Sequence, residues 1–238
     1  MITSAQNPLL KEIKRLQRKR EGGRFVAEGE DLIAAAEAAG WRPVHRLEAG
    51  VDVEGALLDG ISALGSGTRV LAVYEQHWAP EPVGPLALYL HGVGDPGNVG
   101  TIMRSALAFG AGSVVLGPGC ADPYGSKAVR ASMGALFAVP VVRAALVECP
   151  SPRVALVARR GDALRGSDGV GTLVVGAERD GLPEELVAAC DATAHIPIAG
   201  ESLNAAMAAT VALYEWTRGV DAIARAPTTS SLEPDGRA

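Results

Sequence analysis

Runs of consecutive apolar residues recur along the chain at LALYL (86–90), SVVL (113–116), VALVA (154–158), TLVVG (172–176) and around His195 to Ile198. Continuous rather than alternating apolarity predicts strands covered on both faces, as in a parallel sheet, and the segments between them carry helical periodicity. The front of the chain is patterned differently. Its first helix has Asn7 as a cap, Pro8 in the first turn and Gly22-Gly23 as a stop, with Leu9, Ile13 and Leu16 on one side. A strand around Arg24 to Ala27, a helix from about Asp31 to Ala39 stopped by Gly40, and apolar stretches near Val44 and at Val70 to Val73 complete an alternating α/β segment. Residues 76–85, QHWAPEPVGP, have the composition of a semi-rigid connector, and APTTSSLEPDGRA (226–238) lacks periodicity and apolar mass. The expected organisation is a small α/β domain over 1–75, a linker over 76–85, a parallel-sheet α/β domain over 86–225 and a disordered tail over 226–238.

Composition narrows the class. The 238 residues are 48% hydrophobic and 21% charged, as in a globular protein. The charge-free run from Ser105 to Ala121 is interrupted by four glycines and a proline, whereas a spanning helix needs about 20 mainly apolar residues. No membrane span is expected. The opening MITSAQNPLLKEIKR places charge where a secretory signal needs its apolar stretch, so a cytoplasmic location is expected. Cys120, Cys149 and Cys190 form no C-x-x-C pair, and His45, His77, His91 and His195 are scattered, which predicts neither a disulfide framework nor a metal site.

Net charge is −5, but it is unevenly placed. Lys11, Lys14, Arg15, Arg18, Lys19, Arg20 and Arg24 stand against only Glu12 and Glu21 in the first 24 residues. A basic end on an acidic body is the pattern of a localised nucleic-acid footprint, or equally of a solvated helix face.

Three loops at strand ends are placed where open parallel sheets bind ligands. The first, HGVGDPGNVGTIMRSALAFGAG (91–112), contains a G-x-G-x-x-G match at Gly92, Gly94 and Gly97. A dinucleotide site is nevertheless disfavoured, because Pro96 and Asn98 stand where the phosphate-cradling helix should begin and VVLGPG replaces the expected acidic residue after the next strand. A helix from Val99 to Phe109 is expected to bury Ile102, Met103, Ala106, Leu107 and Phe109, leaving Arg104 on another face. In the second, VGAERDGLPEEL (175–186), Gly176 and Gly181 flank Glu178 and a helix is introduced by Pro183. In the third, IPIAGESLNAAMAATVALYEW (196–216), a strand ends at Ile198 and an alanine-rich helix begins near Ser202, which can serve as its N-cap.

Together, in this order and spacing, the loops resemble the three motifs of the SpoU or TrmH family within the SPOUT class of RNA methyltransferases. DPGNVGTIMRSALAFGA is similar to the first motif, with Asn98 and Arg104; VVGAERDGL to the second, with Gly176, Glu178 and Gly181; and IPIAGESLNAAMAATVALYE to the third, with Ser202, Leu203 and Asn204. The front segment KRLQRKREGGRFVAEGEDLI resembles the RNA-substrate-binding domain that often precedes this catalytic domain. The resemblance implies methyl transfer from S-adenosylmethionine to a ribose 2′-hydroxyl of RNA, ribosomal RNA in the first instance and tRNA as the alternative. It also implies a homodimer with a site drawn from both subunits, and a C-terminal trefoil knot that general topology rules would not suggest. The implied site has Arg104, Asn98, Glu178, Ser202 and Asn204 at the chemistry and Gly176, Ile196 and Leu203 around the cofactor. Arg179-Asp180 departs from the small residues common after the family's glutamate and implies a stiffer loop. A non-catalytic RNA-binding module on the same fold is the competing reading.

Overall fold

The computed structural model describes residues 1–18, 22–64, 67–167 and 169–219. In chain order the elements are α1 (Pro8–Arg18), β1 (Arg24–Glu28), α2 (Glu30–Ala38), β2 (His45–Glu48), α3 (Gly55–Ile61), β3 (Val70–Glu75), β4 (Trp78–Ala79), β5 (Leu86–Leu90), α4 (Pro96–Ala108), β6 (Ser113–Leu116), α5 (Ser126–Ala131), α6 (Ala135–Ala138), β7 (Val141–Val142), β8 (Arg153–Leu156), β9 (Asp162–Ala163), β10 (Gly171–Val175), α7 (Glu184–Ala188), β11 (Ala192–His195) and α8 (Ala205–Thr217). They make two sheets. The first is antiparallel in the order β1-β3-β2, and the second has eight strands in the order β4-β7-β6-β5-β10-β8-β11-β9, every pairing parallel.

The apolar run FVA within β1 is explained by what covers the small sheet. Phe25, Ala27, Val70, Ala72 and Tyr74 face the core of the large lobe, while Val26, Leu71 and Val73 alternate to the other side and pack with Leu10, Ile13 and Leu16 of α1 and Leu58 of α3. Phe25 contacts Tyr124 and Phe137 of the large lobe, with ring centroids 4.9 and 6.0 Å apart. Where the helices α2 and α6 meet, Gly134 is obligatory: a β-carbon there would lie 2.5 Å from Cβ of Ala35, and its φ is +90°. The two lobes therefore share one continuous core.

Several expected boundaries move. Residues 76–85, read from composition as a connector, contain β4, which adds an edge to the large sheet beside β7. Leu10 rather than Leu9 completes the buried stripe of α1, and Leu9 is only partly covered. Leu107 is 41% exposed, so α4 turns it outward instead of burying it, and Phe109 is half-buried past the helix end. The last strand of the third loop ends at His195, three residues earlier than the apolar IPI suggests, because Ile196 and Ile198 wall a cleft rather than join the sheet. Helix α8 starts at Ala205 with Asn204, not Ser202, as its cap. Lys19, Arg20 and the tail over 226–238 lie outside the described residues. Among those described, no helix is long and apolar enough to cross a membrane.

Candidate active site at the carboxyl ends of the parallel strands

Strand β5 leads into α4, whose N-terminus is closed by Asp95: its carboxylate accepts from the Asn98 backbone N–H at 3.0 Å and pairs with Nζ of Lys127 at 2.7 Å. The Lys127 hydrogen bond, then that of Asn98, hold the Asp95 carboxyl below its usual range. Strand β10 leads into a turn closed by reciprocal backbone hydrogen bonds between Ala177 and Gly181, each 3.1 Å, which puts Glu178, Arg179 and Asp180 at its exposed tip. Gly181 has φ +65°. At the start of α8, the Asn204 side-chain oxygen accepts from the N–H groups of Ala206 at 2.9 Å and Met207 at 3.3 Å.

These three loops converge through side chains. Asn98 donates its amide N–H to Oε1 of Glu178, and its amide oxygen accepts from Nδ2 of Asn204 at 3.1 Å. The ladder Glu178–Asn98–Asn204 joins residues 80 and 106 positions apart in sequence. Below it, α4 and α8 are pinned by a 2.6 Å contact between the hydroxyls of Ser105 and Thr210.

Beside the ladder lies a cleft of about 260 Å³. Gly176, Glu178, Ile196, Ser202 and Leu203, each singled out in the sequence, line it. So do Leu156, Val157 and Ala158 at the end of β8, Arg179, Ile198, Ala205 and Ala208, none of which the motifs single out as cleft residues. A signal for the first three is present in the chain: VALVA ends in the same layer as TLVVG, and ligands gather at such ends. Arg104 is exposed, lines no part of this cleft and enters no ion pair among the described residues.

The thiols contribute no nucleophile. Burial pushes Cys149 up to about 11 and also raises Cys120 and Cys190, so all three stay protonated near neutrality. Among the described residues no group of three or more His, Cys, Asp or Glu could hold a metal ion.

Apolar walls, with the Glu178 carboxylate, the Arg179 guanidinium and the Ser202 hydroxyl at the rim, suit a small ligand with an apolar ring and polar arms. A model described as the SpoU rRNA methylase family matches residues 85–214, so the chain belongs to that family. It is 31% identical over 242 residues to the 23S rRNA (guanosine(2553)-2′-O)-methyltransferase RlmP of Bacillus subtilis, with 90% of this chain and 97% of that protein covered. Among solved structures it resembles an AdoMet-bound rRNA methyltransferase from Sinorhizobium meliloti, with a TM-score of 0.83, 31% identity, and 92% and 98% of the two chains covered. A second likeness is to the SpoU methyltransferase AviRb of Streptomyces viridochromogenes in complex with AdoMet, with a TM-score of 0.75, 29% identity, and 90% and 98% covered.

Proposed function

We propose that this chain transfers a methyl group from S-adenosylmethionine to a ribose 2′-hydroxyl of RNA, in the first place 23S ribosomal RNA in the cytoplasm. The observation that carries the reading is the Glu178–Asn98–Asn204 ladder beside an apolar cleft of the right kind. The cofactor, held by Gly176, Ile196 and Leu203, supplies an electrophilic sulfonium methyl. What remains for the protein is to place the hydroxyl in line, exclude water and favour loss of its proton. Asn98, itself held by Asn204, fixes the Glu178 carboxylate at the cleft mouth, and Ser202 offers a hydroxyl to the ribose or cofactor. Arg104, always charged, positions the RNA phosphate and stabilises the developing alkoxide.

Arg104 reaches that role through a second subunit. Met207, Val211 and Tyr214 are 62%, 41% and 57% exposed at helical spacing on α8, and Leu107, 41% exposed, adds to them from the adjoining α4. Arg104 stands three residues before Leu107, so pairing two copies across this apolar face carries its guanidinium toward the other copy. The trefoil knot implied by the family is part of the same reading.

Lys11, Lys14, Arg15 and Arg18 are exposed on α1 and form the described part of the basic footprint, whereas Arg24 is occupied by Glu12 at 3.2 Å. Removing residues 1–75 is not a sound way to test that footprint, because it would strip Phe25 and Tyr74 from the shared core. Replacing the four exposed cations by glutamine keeps helix propensity. It is expected to weaken binding of a 23S rRNA transcript more than tenfold, with the log–log salt slope falling by about 0.7 to 0.9 for each phosphate no longer neutralised. Unchanged slope in a fluorescence titration would remove α1 from the interface.

The reaction itself is tested by incubating the protein with methyl-labelled S-adenosylmethionine and unmodified 23S rRNA or tRNA, then hydrolysing in alkali. A 2′-O-methyl group blocks cleavage of the adjacent phosphodiester, so label is expected in alkali-resistant dinucleotides from 23S rRNA. Label in mononucleotides would mean a base acceptor, and no label together with no cofactor binding would mean a non-catalytic RNA-binding module.

A further inference from the structure

A second cavity, of about 440 Å³, opens at the carboxyl ends of β6 and β7 and is lined by Leu116, Gly117, Pro118, Cys120, Asp122 and Arg143 among others. It lies on the same edge of the parallel sheet as the cofactor cleft. Its wall is built onto the first-motif loop by three backbone hydrogen bonds: Gly117 to Leu90 at 2.8 Å, Gly92 to Pro118 at 2.9 Å and Ala121 to Val93 at 2.9 Å. Gly92 in turn abuts the cofactor turn, since a β-carbon at Gly92 would lie 3.2 Å from Cβ of Ala177, and one at Gly119 would lie 3.1 Å from the α-carbon of Gly92. A single layer of backbone thus separates this cavity from the turn that bears Glu178.

Arg143 forms the basic side of the cavity. Its guanidinium carbon sits 4.0 Å above the centroid of the Trp78 ring, it is exposed, and it enters no ion pair among the described residues. Trp78 is itself held, its indole N–H donating to Gln76 at 3.2 Å and its ring set edge-on to Tyr124 at 5.1 Å. An arginine resting on an aromatic ring is fixed in direction, keeps one face open for stacking and turns its N–H edge outward, which suits an unstacked base with its phosphate.

We propose that Arg143, backed by Trp78, and the adjoining cavity bind a nucleotide of the RNA strand beside the methylated one, with the base stacked on the guanidinium and its phosphate on the N–H edge. The assignment rests on the RNA reading given above. The exposed Arg143 guanidinium is the positive group at this cavity and the element that recognises a phosphate, with Cys120 and the Asp122 carboxylate as its other polar lining. Asp122 stands at the rim, its carboxylate accepting from the Tyr124 backbone N–H at 2.9 Å.

The test uses the full-length protein, a fluorescein-labelled 23S rRNA transcript and S-adenosylmethionine. Arg143→Ala is expected to weaken RNA binding about tenfold, as removal of one stacked base with its phosphate would, and to lower the log–log salt slope by about 0.7. KM for RNA should rise while kcat and cofactor affinity hold. Arg143→Lys restores the slope but not the full affinity, since an ammonium replaces the charge without the planar face. Equal affinity and KM in wild type and Arg143→Ala would overturn the proposal, as would full rescue by lysine, which would leave a point charge and no stacked base. If the wild type itself binds no RNA, the failure belongs to the functional reading and not to this subsite.

Discussion

Gly176→Ala is expected to weaken S-adenosylmethionine binding by about 10- to 100-fold. The β-carbon would lie 2.4 Å from the Gly181 carbonyl carbon, 2.5 Å from its oxygen and 2.8 Å from the Leu182 nitrogen. All three are backbone atoms on the far side of a turn already closed by the Ala177–Gly181 hydrogen bonds, so no side chain can swing away. Overpacking of this kind costs about 1–3 kcal/mol, and it falls on the turn that lines the cleft and presents Glu178 to Asn98. Gly181→Ala is the graded control. It meets no atom within 4 Å but must hold φ +65°, so it should cost about 1 kcal/mol and less affinity. Isothermal titration of both variants gives the answer; wild-type affinity in Gly176→Ala would mean that this turn does not hold the cofactor.

Arg104→Ala is expected to lower kcat about 100- to 1000-fold, the usual effect of deleting one donor to a developing oxyanion. Cofactor affinity and melting temperature should stay near wild type, because the side chain is exposed and lines no part of the cleft. Mixing Arg104→Ala with Gly176→Ala carries the prediction further. Each variant alone is impaired, but a mixed dimer with Arg104 from one copy and an intact cleft from the other should recover turnover. Absence of recovery in subunits shown to exchange would confine each site to one chain.

The parts of the fold legible in the sequence are those whose signal is local. LALYL and SVVL are β5 and β6 to the residue, because buried parallel strands must be apolar throughout. Strands of two residues such as β4, β7 and β9 leave no periodicity to detect. In the third loop the apolar IPI extends the expected strand too far along the chain: apolarity reports burial of any origin, and these isoleucines turn to the ligand cleft. Ser202 and Asn204 are both good caps, and local chemistry does not choose between them; the choice follows from Leu203 entering the cleft, which leaves Asn204 at the helix end. The motifs point to Asn98, Glu178 and Asn204 one by one, but their mutual hydrogen bonds span the sheet and follow from topology alone.

The shared core has a consequence for substrate choice. With Phe25 and Tyr74 seated among large-lobe aromatics and Gly134 pressed against Ala35, α1 cannot swing independently of the cleft. On the proposed RNA reading the molecule is a fixed caliper, with α1 as the jaw for phosphates and the cleft as the jaw for the methyl donor, and the shared core sets the gap between them. An RNA whose folded shape spans that gap is then the expected substrate, with the distance between two of its points as one criterion of selection.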